Sequence, residues 1–319
     1  MYDLRFLKIS SDKEVMNVDK LEKYYTFLKY EKKVSKNTFD SYRRDIAKFA
    51  DYLSANDNMD LNEVTQDNIK DFLDFLKNKG AAPSSLTRNL AAVRSLYRFL
   101  ISENLANFNP TADVRLPKFE NPLPTILTPQ EVGILIDVPH NNTLKGIRDI
   151  AIMELLYATG MHVSEVIDIS LKDVNIRVGY VRCRGRERDR IIPIYSKCQA
   201  ALKMYVDYVR PVFYYERVPY KDDSDVLFLN QKGSSLSRQG VWKMIKHYAA
   251  KTEIPKEITP NILRHSFAVH LLENGADFRS LQEMLGYTEA SAINRYVKIA
   301  ENRIAEVYKR THPRASNDL

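Results

Sequence analysis

Between residues 18 and 117 the apolar positions fall into four helical stripes. In VDKLEKYYTFLKYEKK, Leu21, Tyr24, Tyr25 and Leu28 recur at the three- and four-residue intervals that place them on one helix face. SKNTFDSYRRDIAKFADYLSAN offers a cap at Ser35 or Asn37 and carries Phe39, Tyr42, Ile46 and Phe49 along one stripe. TQDNIKDFLDFLKNKG opens on Thr65 with Asn68 three residues on, and closes on Gly80. APSSLTRNLAAVRSLYRFLISEN has Pro83 near its start and turns Leu86, Leu90, Val93, Leu96 and Leu100 toward a core. Four amphipathic helices with short joints predict a small bundle.

The pattern then breaks. FNPTADVRLPKFENPLPTILT, residues 108–128, holds four prolines and no stripe, which predicts an extended linker and a domain boundary. Beyond it, TPQEVGILIDV reads as a Thr-capped helix, and LKGIRDIAIMELLYATG is apolar on nearly every side, as a central buried helix closed by Gly160 would be. HVSEVIDI is a short helix. In VGYVRCRGRERDRIIPI the period changes: Val181 and Cys183 alternate with Arg182 and Arg184, and Ile191 and Ile192 follow a polar turn, predicting a β-hairpin. YSKCQAALKMYVDYVRPVF and SRQGVWKMIKHYAAKT are further helices, and from Thr259 the chain reads as mostly helical to about Arg310. The expected architecture is mainly α: an N-terminal bundle over 1–117, then a mostly helical domain over 126–319 with one small antiparallel sheet.

A length of 319 residues suits two domains, each with its own core. No apolar run is long enough for a membrane span, and the first residues lack the apolar core of a secretory signal, so no membrane partner is expected. Cys183 and Cys198 are too few and too badly spaced for a disulfide framework or a zinc knuckle, which suggests a reducing, cytoplasmic setting. A net charge of +7 points toward a polyanionic partner.

Candidate chemistry sits in four places. ATGMHVSEV puts His162 where a helix should begin, with Glu165 three residues on; GRERDR forms the hairpin tip; TPNILRHSFAVHLLENGADFRSLQEMLGY carries Arg264; and ASAINRYVKIA carries Tyr296. Taken singly, each reads as structural: a salt-bridging arginine, a core tyrosine, a solvated turn. His265 and His270, five apart, do not share a helix face and do not suggest a metal site.

Together with SSLTRNLAAVRSLYRFL, SSLSRQGVWKMIKHYA and the tail THPRA, these stretches resemble the tyrosine recombinases (the phage-integrase family), most closely the Xer-type branch, over nearly the whole chain. The resemblance implies a SAM-like core-binding domain followed by a catalytic-type domain, the two closing round duplex DNA. It further implies a tyrosine that attacks a phosphodiester to give a 3′-phosphotyrosine and a free 5′-hydroxyl, with no metal, ATP or other cofactor. In such a site two arginines clamp the non-bridging oxygens, a hairpin lysine protonates the leaving oxygen, two His or Trp positions pack round the phosphate, and an acidic residue orients the first arginine.

Carried over by position, Tyr296 matches the nucleophile, Arg264 the second arginine and Glu165 the acidic residue. The other four positions depart: His162 stands at the first arginine, Arg186 at the lysine, Asn261 at the histidine before Arg264, and Tyr287 at the late His/Trp position. Imidazole has an ordinary pKa of about 6.5 and cannot make a bidentate fork. Arginine hardly ever deprotonates, which makes it a poor general acid. The expectation is therefore a sequence-specific double-stranded DNA-binding protein whose cleavage is severely impaired, inactive or very slow. Two alternatives stay open: an active recombinase or integrase with a rewired site, drawing on Arg184, Arg188 or Arg190, and a protein-interaction scaffold that has lost DNA binding.

For DNA contact the resemblance nominates Arg88 and Arg94 as groove readers, Arg43 and Arg44 as phosphate partners, and Arg238, Gln239 and Lys243 in the second domain. It also implies docking of a C-terminal helix, with Ile304, Val307 and Tyr308 at helical spacing, onto a second copy or a related recombinase on DNA, in a nucleoid-associated setting.

Overall fold

The structure, a computed structural model, describes residues 12–56, 59–116, 123–185, 189–215, 225–287, 293–301 and 303. Its contacts divide the chain into two compact units, Met1–Asn121 and Pro122–Leu319.

The first unit is helical. Helix α1 (Asp12–Thr26) runs into a single wide π turn at Phe27–Glu31, which the stripe of apolar residues does not signal. Helix α2 (Lys36–Ala55) starts on Ser35, whose hydroxyl accepts from the Thr38 amide at 3.1 Å and so settles the choice of cap. Helix α3 (Gln66–Asn78) begins with a reciprocal Thr65–Asn68 capping box, and α4 (Pro83–Ser102) has Pro83 at its first position. Leu28, Ile46, Phe49, Phe72, Leu96 and Leu100 form the centre of this core.

At its described ends, residues 108–116 and 123–128, the 108–128 segment is held by side chains and is not simply extended. Residues 111–113 turn, Thr111 and Val114 are buried, and Arg94 donates to the Thr111 and Val114 carbonyls at 3.1 and 2.9 Å. At its other end Leu127 is buried in the core of the second unit, where its amide donates to Ser266 Oγ at 2.8 Å. Backbone groups held this way are satisfied by side chains instead of a helix or sheet, which periodicity does not reveal.

In the second unit, α5 (Pro129–Asp137) is capped by Thr128 and Glu131, and α6 (Leu144–Thr159) is the buried centre. Gly160 ends α6 with φ +60°, and a Cβ there would meet Phe267 at 2.4 Å, so glycine is required both by conformation and by close packing. Helix α7 (Val163–Asp168) is followed by strands β1 (Val174–Asn175), β2 (Tyr180–Cys183) and β3 (Arg190–Pro193). All pair antiparallel in the order β1-β2-β3, with Val181 opposite Ile192 and Cys183 opposite Arg190. The sheet thus has one strand more than the expected hairpin. A two-residue strand is too short to show alternation.

Helices α8 (Ser196–Met204), α9 (Arg210–Tyr215), α10 (Arg238–Ala249), α11 (Pro260–Glu273) and α12 (Phe278–Leu285) complete the body, and residues 293–301 are helical. Among the described residues, no helix is long and apolar enough to cross a membrane. Both cysteines are free and buried. Ile304, Val307 and Tyr308 lie outside the described residues.

Candidate active site

Four elements of the second unit converge at the end of α6: the start of α7, the first residue of β3, the middle of α11 and the end of α12. The start of α7, β3 and the end of α12 border a cleft of about 1190 Å³, lined by His162, Glu165, Arg190, Arg279 and Tyr287.

Arg264 lies within α11 and is almost fully enclosed. Its Nη1 donates to the Gly160 carbonyl and its Nη2 to the Leu285 carbonyl at 2.9 Å, while Nε is buried with no partner. The guanidinium carbon sits 5.0 Å from the centre of the Tyr287 ring. The carbonyls at the C-termini of α6 and α12 therefore fix the plane of this fork before any anion arrives.

Tyr296 is fully buried in a small apolar cluster with Phe267, Leu281 and Ile299. Its hydroxyl lies 2.9 Å from His265 Nδ1 and 3.5 Å from the Tyr287 hydroxyl. Burial, reinforced by the neighbouring Tyr287, pushes the Tyr296 phenol above its ordinary value. Burial acts upward on Tyr287, but the Arg264 charge, hydrogen bonds with Tyr296 and Arg264 and the Arg295 charge together hold that phenol below its ordinary value.

His162 is the N-cap of α7 and is exposed at the cleft mouth. Its imidazole titrates below the ordinary range; desolvation by the cleft walls comes first, then the positive charges of Arg264 and Arg190, with Glu165 opposing. Glu165 supplies a negative charge at this helix start, its Oε2 accepting from the His162 amide at 2.8 Å.

The same carboxylate is gripped by Arg190, with Nη1 and Nη2 each 2.9 Å from an oxygen, and Arg190 Nε donates to the Met284 carbonyl at 2.7 Å. Burial favours the neutral Glu165 acid, but Arg190, the His162 amide and the Cys183 thiol together lower its pKa. The Cys183 thiol also meets Glu165, and burial pushes it up to about 12. Gly286, at φ +70°, leaves room for this arrangement, since a Cβ would meet Arg190 Nη1 at 2.9 Å. Arg190 thereby ties the sheet to the end of α12 beside Tyr287.

Of the site residues nominated by sequence, the structure brings together Tyr296, Arg264, Glu165, His162 and Tyr287. Asn261 is exposed on the first turn of α11. Arg186 lies outside the described residues, as does Arg188. Arg184 pairs with Asp173 at 2.9 Å. Sequence reasoning set His265 aside, and no spacing rule links it to a tyrosine thirty-one positions later; only its place next to Arg264 hinted at the site.

On α10, Arg238, Gln239, Trp242 and Lys243 are exposed along one side, and Lys246 rests 5.5 Å over the Trp242 ring and 2.9 Å from Glu257. Trp242 escaped notice because one exposed aromatic carries no pattern. In the first unit Arg43 and Arg44 are exposed on α2, with Arg44 Nε on the Asp40 carbonyl at 3.1 Å. The two nominated groove readers are engaged within the fold: Arg94 on the loop carbonyls, and Arg88 on both oxygens of buried Asp45 at 2.6 and 3.1 Å. Among the described residues, no group of three or more His, Cys, Asp or Glu is placed to hold a metal.

Comparison with known proteins matches this geometry to a family. The model for the phage integrase family covers residues 125–303, and that for the phage integrase N-terminal SAM-like domain covers 21–104. Tyrosine recombinase XerD of Staphylococcus epidermidis is 40% identical over 296 residues, spanning 92% of this chain and 99% of that protein, and XerD of Staphylococcus aureus is similar to the same extent. Among solved structures, the XerA recombinase is 25% identical with TM-score 0.51, covering 92% of this chain and 99% of that one. XerH bound to its difH substrate has the same fold at 20% identity, with TM-score 0.68 over 91% and 82% of the two chains. Matched in both halves, and close to a relative it spans almost end to end, the chain belongs to the phage-integrase family of tyrosine recombinases.

Proposed function

We propose that the chain binds a specific duplex DNA and cleaves it only very slowly, through Tyr296. The observation that carries this reading is the state of the clamp. At the position where the family resemblance calls for an arginine stands His162, exposed and biased toward neutrality. The nearest candidate replacement, Arg190, has both terminal nitrogens on Glu165 and its Nε on a carbonyl. Moving it onto a phosphate would strip a half-buried carboxylate of its partner, which is costly. An arginine acting on a transferred phosphoryl group typically contributes about 10³–10⁵ in rate.

DNA binding depends on many small phosphate contacts and so survives such losses. Supporting it are the exposed basic side of α10, the exposed Arg43 and Arg44, the net charge of +7, and relatives whose structures are DNA complexes. The reading extends to assembly on DNA with a second copy or a related recombinase. The two readings part in one experiment. Gel shift at two salt concentrations reports binding, and a suicide substrate nicked beside the crossover, run on a denaturing gel, reports the covalent adduct. Tight salt-sensitive binding with barely accumulating adduct supports the proposal. Efficient adduct formation supports the runner-up, an active recombinase, which the close Tyr296–His265–Arg264 grouping favours.

A further inference from the structure

We propose that His265 is the base that receives the Tyr296 proton, a role the resemblance gives to no residue at this position. The inference rests on the reading that Tyr296 is the nucleophile, whether its step is slow or fast.

The geometry is direct: Nδ1 lies 2.9 Å from the Tyr296 hydroxyl, with ring centroids 5.6 Å apart and planes tilted by 42°. That is hydrogen-bond reach of the proton to be removed, the first requirement of a general base. The competitors are worse placed or chemically unsuited. The Tyr287 hydroxyl is at 3.5 Å, and Asn261, one turn earlier on α11, carries an amide that accepts no proton.

The surroundings keep the imidazole ready to accept. It faces Arg264 on its own helix, Arg295 and Tyr296 on helical residues 293–301 and His162 at the start of α7, while Tyr287, just past α12, meets the Tyr296 hydroxyl. Burial first, then the Arg264 and Arg295 charges, push its pKa down to about 4, so near pH 7 the ring is neutral. Charge from an incoming phosphate raises that value toward the operating pH, where a base works best.

In the step itself, the Tyr296 O–H bond breaks as Nδ1–H forms, and the phenolic oxygen attacks phosphorus. The P–O5′ bond breaks with its electron pair leaving on the 5′-oxygen, which takes a proton from water; the imidazolium returns its proton to water. Atoms and charge balance, and religation runs the sequence backward.

Two measurements decide it. The first is independent of turnover. In a spectrum of ¹⁵N-histidine-labelled protein, His265 must be neutral with Nδ1 unprotonated and the proton on Nε2, and Tyr296→Phe must shift the Nδ1 resonance. A protonated Nδ1 overturns the assignment, since that nitrogen then donates to the tyrosine. The second follows single-turnover adduct formation on the suicide substrate, in the unmodified chain and in a His162→Arg background. His265→Gln is expected to slow the adduct by about 10²-fold or more. It should also turn a flat profile between pH 6 and 9 into one rising about tenfold per pH unit, as hydroxide takes over. An unchanged profile, a loss under threefold, or the same steepening in Tyr287→Phe instead would overturn it. Fast adduct formation by the unmodified chain would sink the slow-cleavage proposal, and the His265 ratio and slope would still be read from that rate.

Discussion

Replacing His162 by arginine probes the missing prong, and the structure sets how much should return. Position 162 is exposed and opens onto a cleft of about 1190 Å³, so a longer side chain has room. A guanidinium there adds a permanent charge and a planar pair of donors, which on a phosphoryl group is worth about 10³–10⁵ where its plane is well oriented. Orientation is the limit. Glu165, the residue that would hold the new fork, already accepts both terminal nitrogens of Arg190 and the amide of residue 162. A carboxylate offers about four acceptor sites and the Cys183 thiol takes the fourth, so the new arginine must displace that thiol and is held on one side only. The expected gain is therefore the lower part of the range or just beneath it, roughly 10²–10³, or about 3–4 kcal/mol of barrier. The assay is single-turnover adduct formation at saturating protein, which separates cleavage from binding. DNA affinity should rise only slightly. A His162→Arg chain that cleaves no faster than the unmodified one would refute the argument from the clamp.

Other consequences can be measured without cleavage. Arg88→Ala leaves the fully buried Asp45, among the described residues, with only Lys48 at 3.6 Å; because Arg88 is half exposed, the loss in unfolding free energy should be about 1–3 kcal/mol, read from denaturant midpoints. No stability loss, with weakened DNA binding instead, would return Arg88 to the role of groove reader. Stability should also fall with acid. His265 takes up its proton near pH 4 in the fold but near 6.5 unfolded, so its contribution is complete above about 6.5, declines below that, and is gone below 4; it amounts to up to about 3 kcal/mol. Glu165, likewise lowered when folded, adds a loss at still lower pH, below the ordinary carboxylate range. His265→Gln should flatten the decline between pH 6.5 and 4, and an unchanged curve would contradict the burial argument. Lys243→Ala, on the exposed side of α10, should weaken binding to all sequences alike and reduce the slope of log affinity against log salt by about one. An unaltered slope removes α10 from the interface.

Much of the scaffold was legible because it rests on periodic burial. The α2 and α4 stripes, the Thr65–Asn68 box and the Gly160 stop each follow from local rules that packing did not override. What escaped was set by contacts between distant residues. The 108–128 segment reads as open chain because Thr111, Val114 and Leu127 are held by Arg94 and Ser266, neither of which is near them in sequence. Strand β1 is two residues long and exists because β2 lies beside it. At the site, Tyr296, Arg264 and Glu165 could be named from motif spacing, yet their partners could not. Arg190 looked like one of several hairpin arginines until its fork met Glu165, and His265 looked like half of a failed metal pair until its ring met Tyr296.

The ratio of cutting to holding in the unmodified chain is the most direct test of a clamp with one arginine missing. With protein in excess over a nicked native-locus duplex, one sample is divided between a native gel and a denaturing gel, with Tyr296→Phe alongside. The prediction is a fully shifted complex that gives way to high salt, and a covalent band that gathers only slowly and vanishes in the Tyr296→Phe lane. Prompt conversion of the bound duplex to the covalent form, followed by strand exchange at an ordinary recombinase rate, would contradict it.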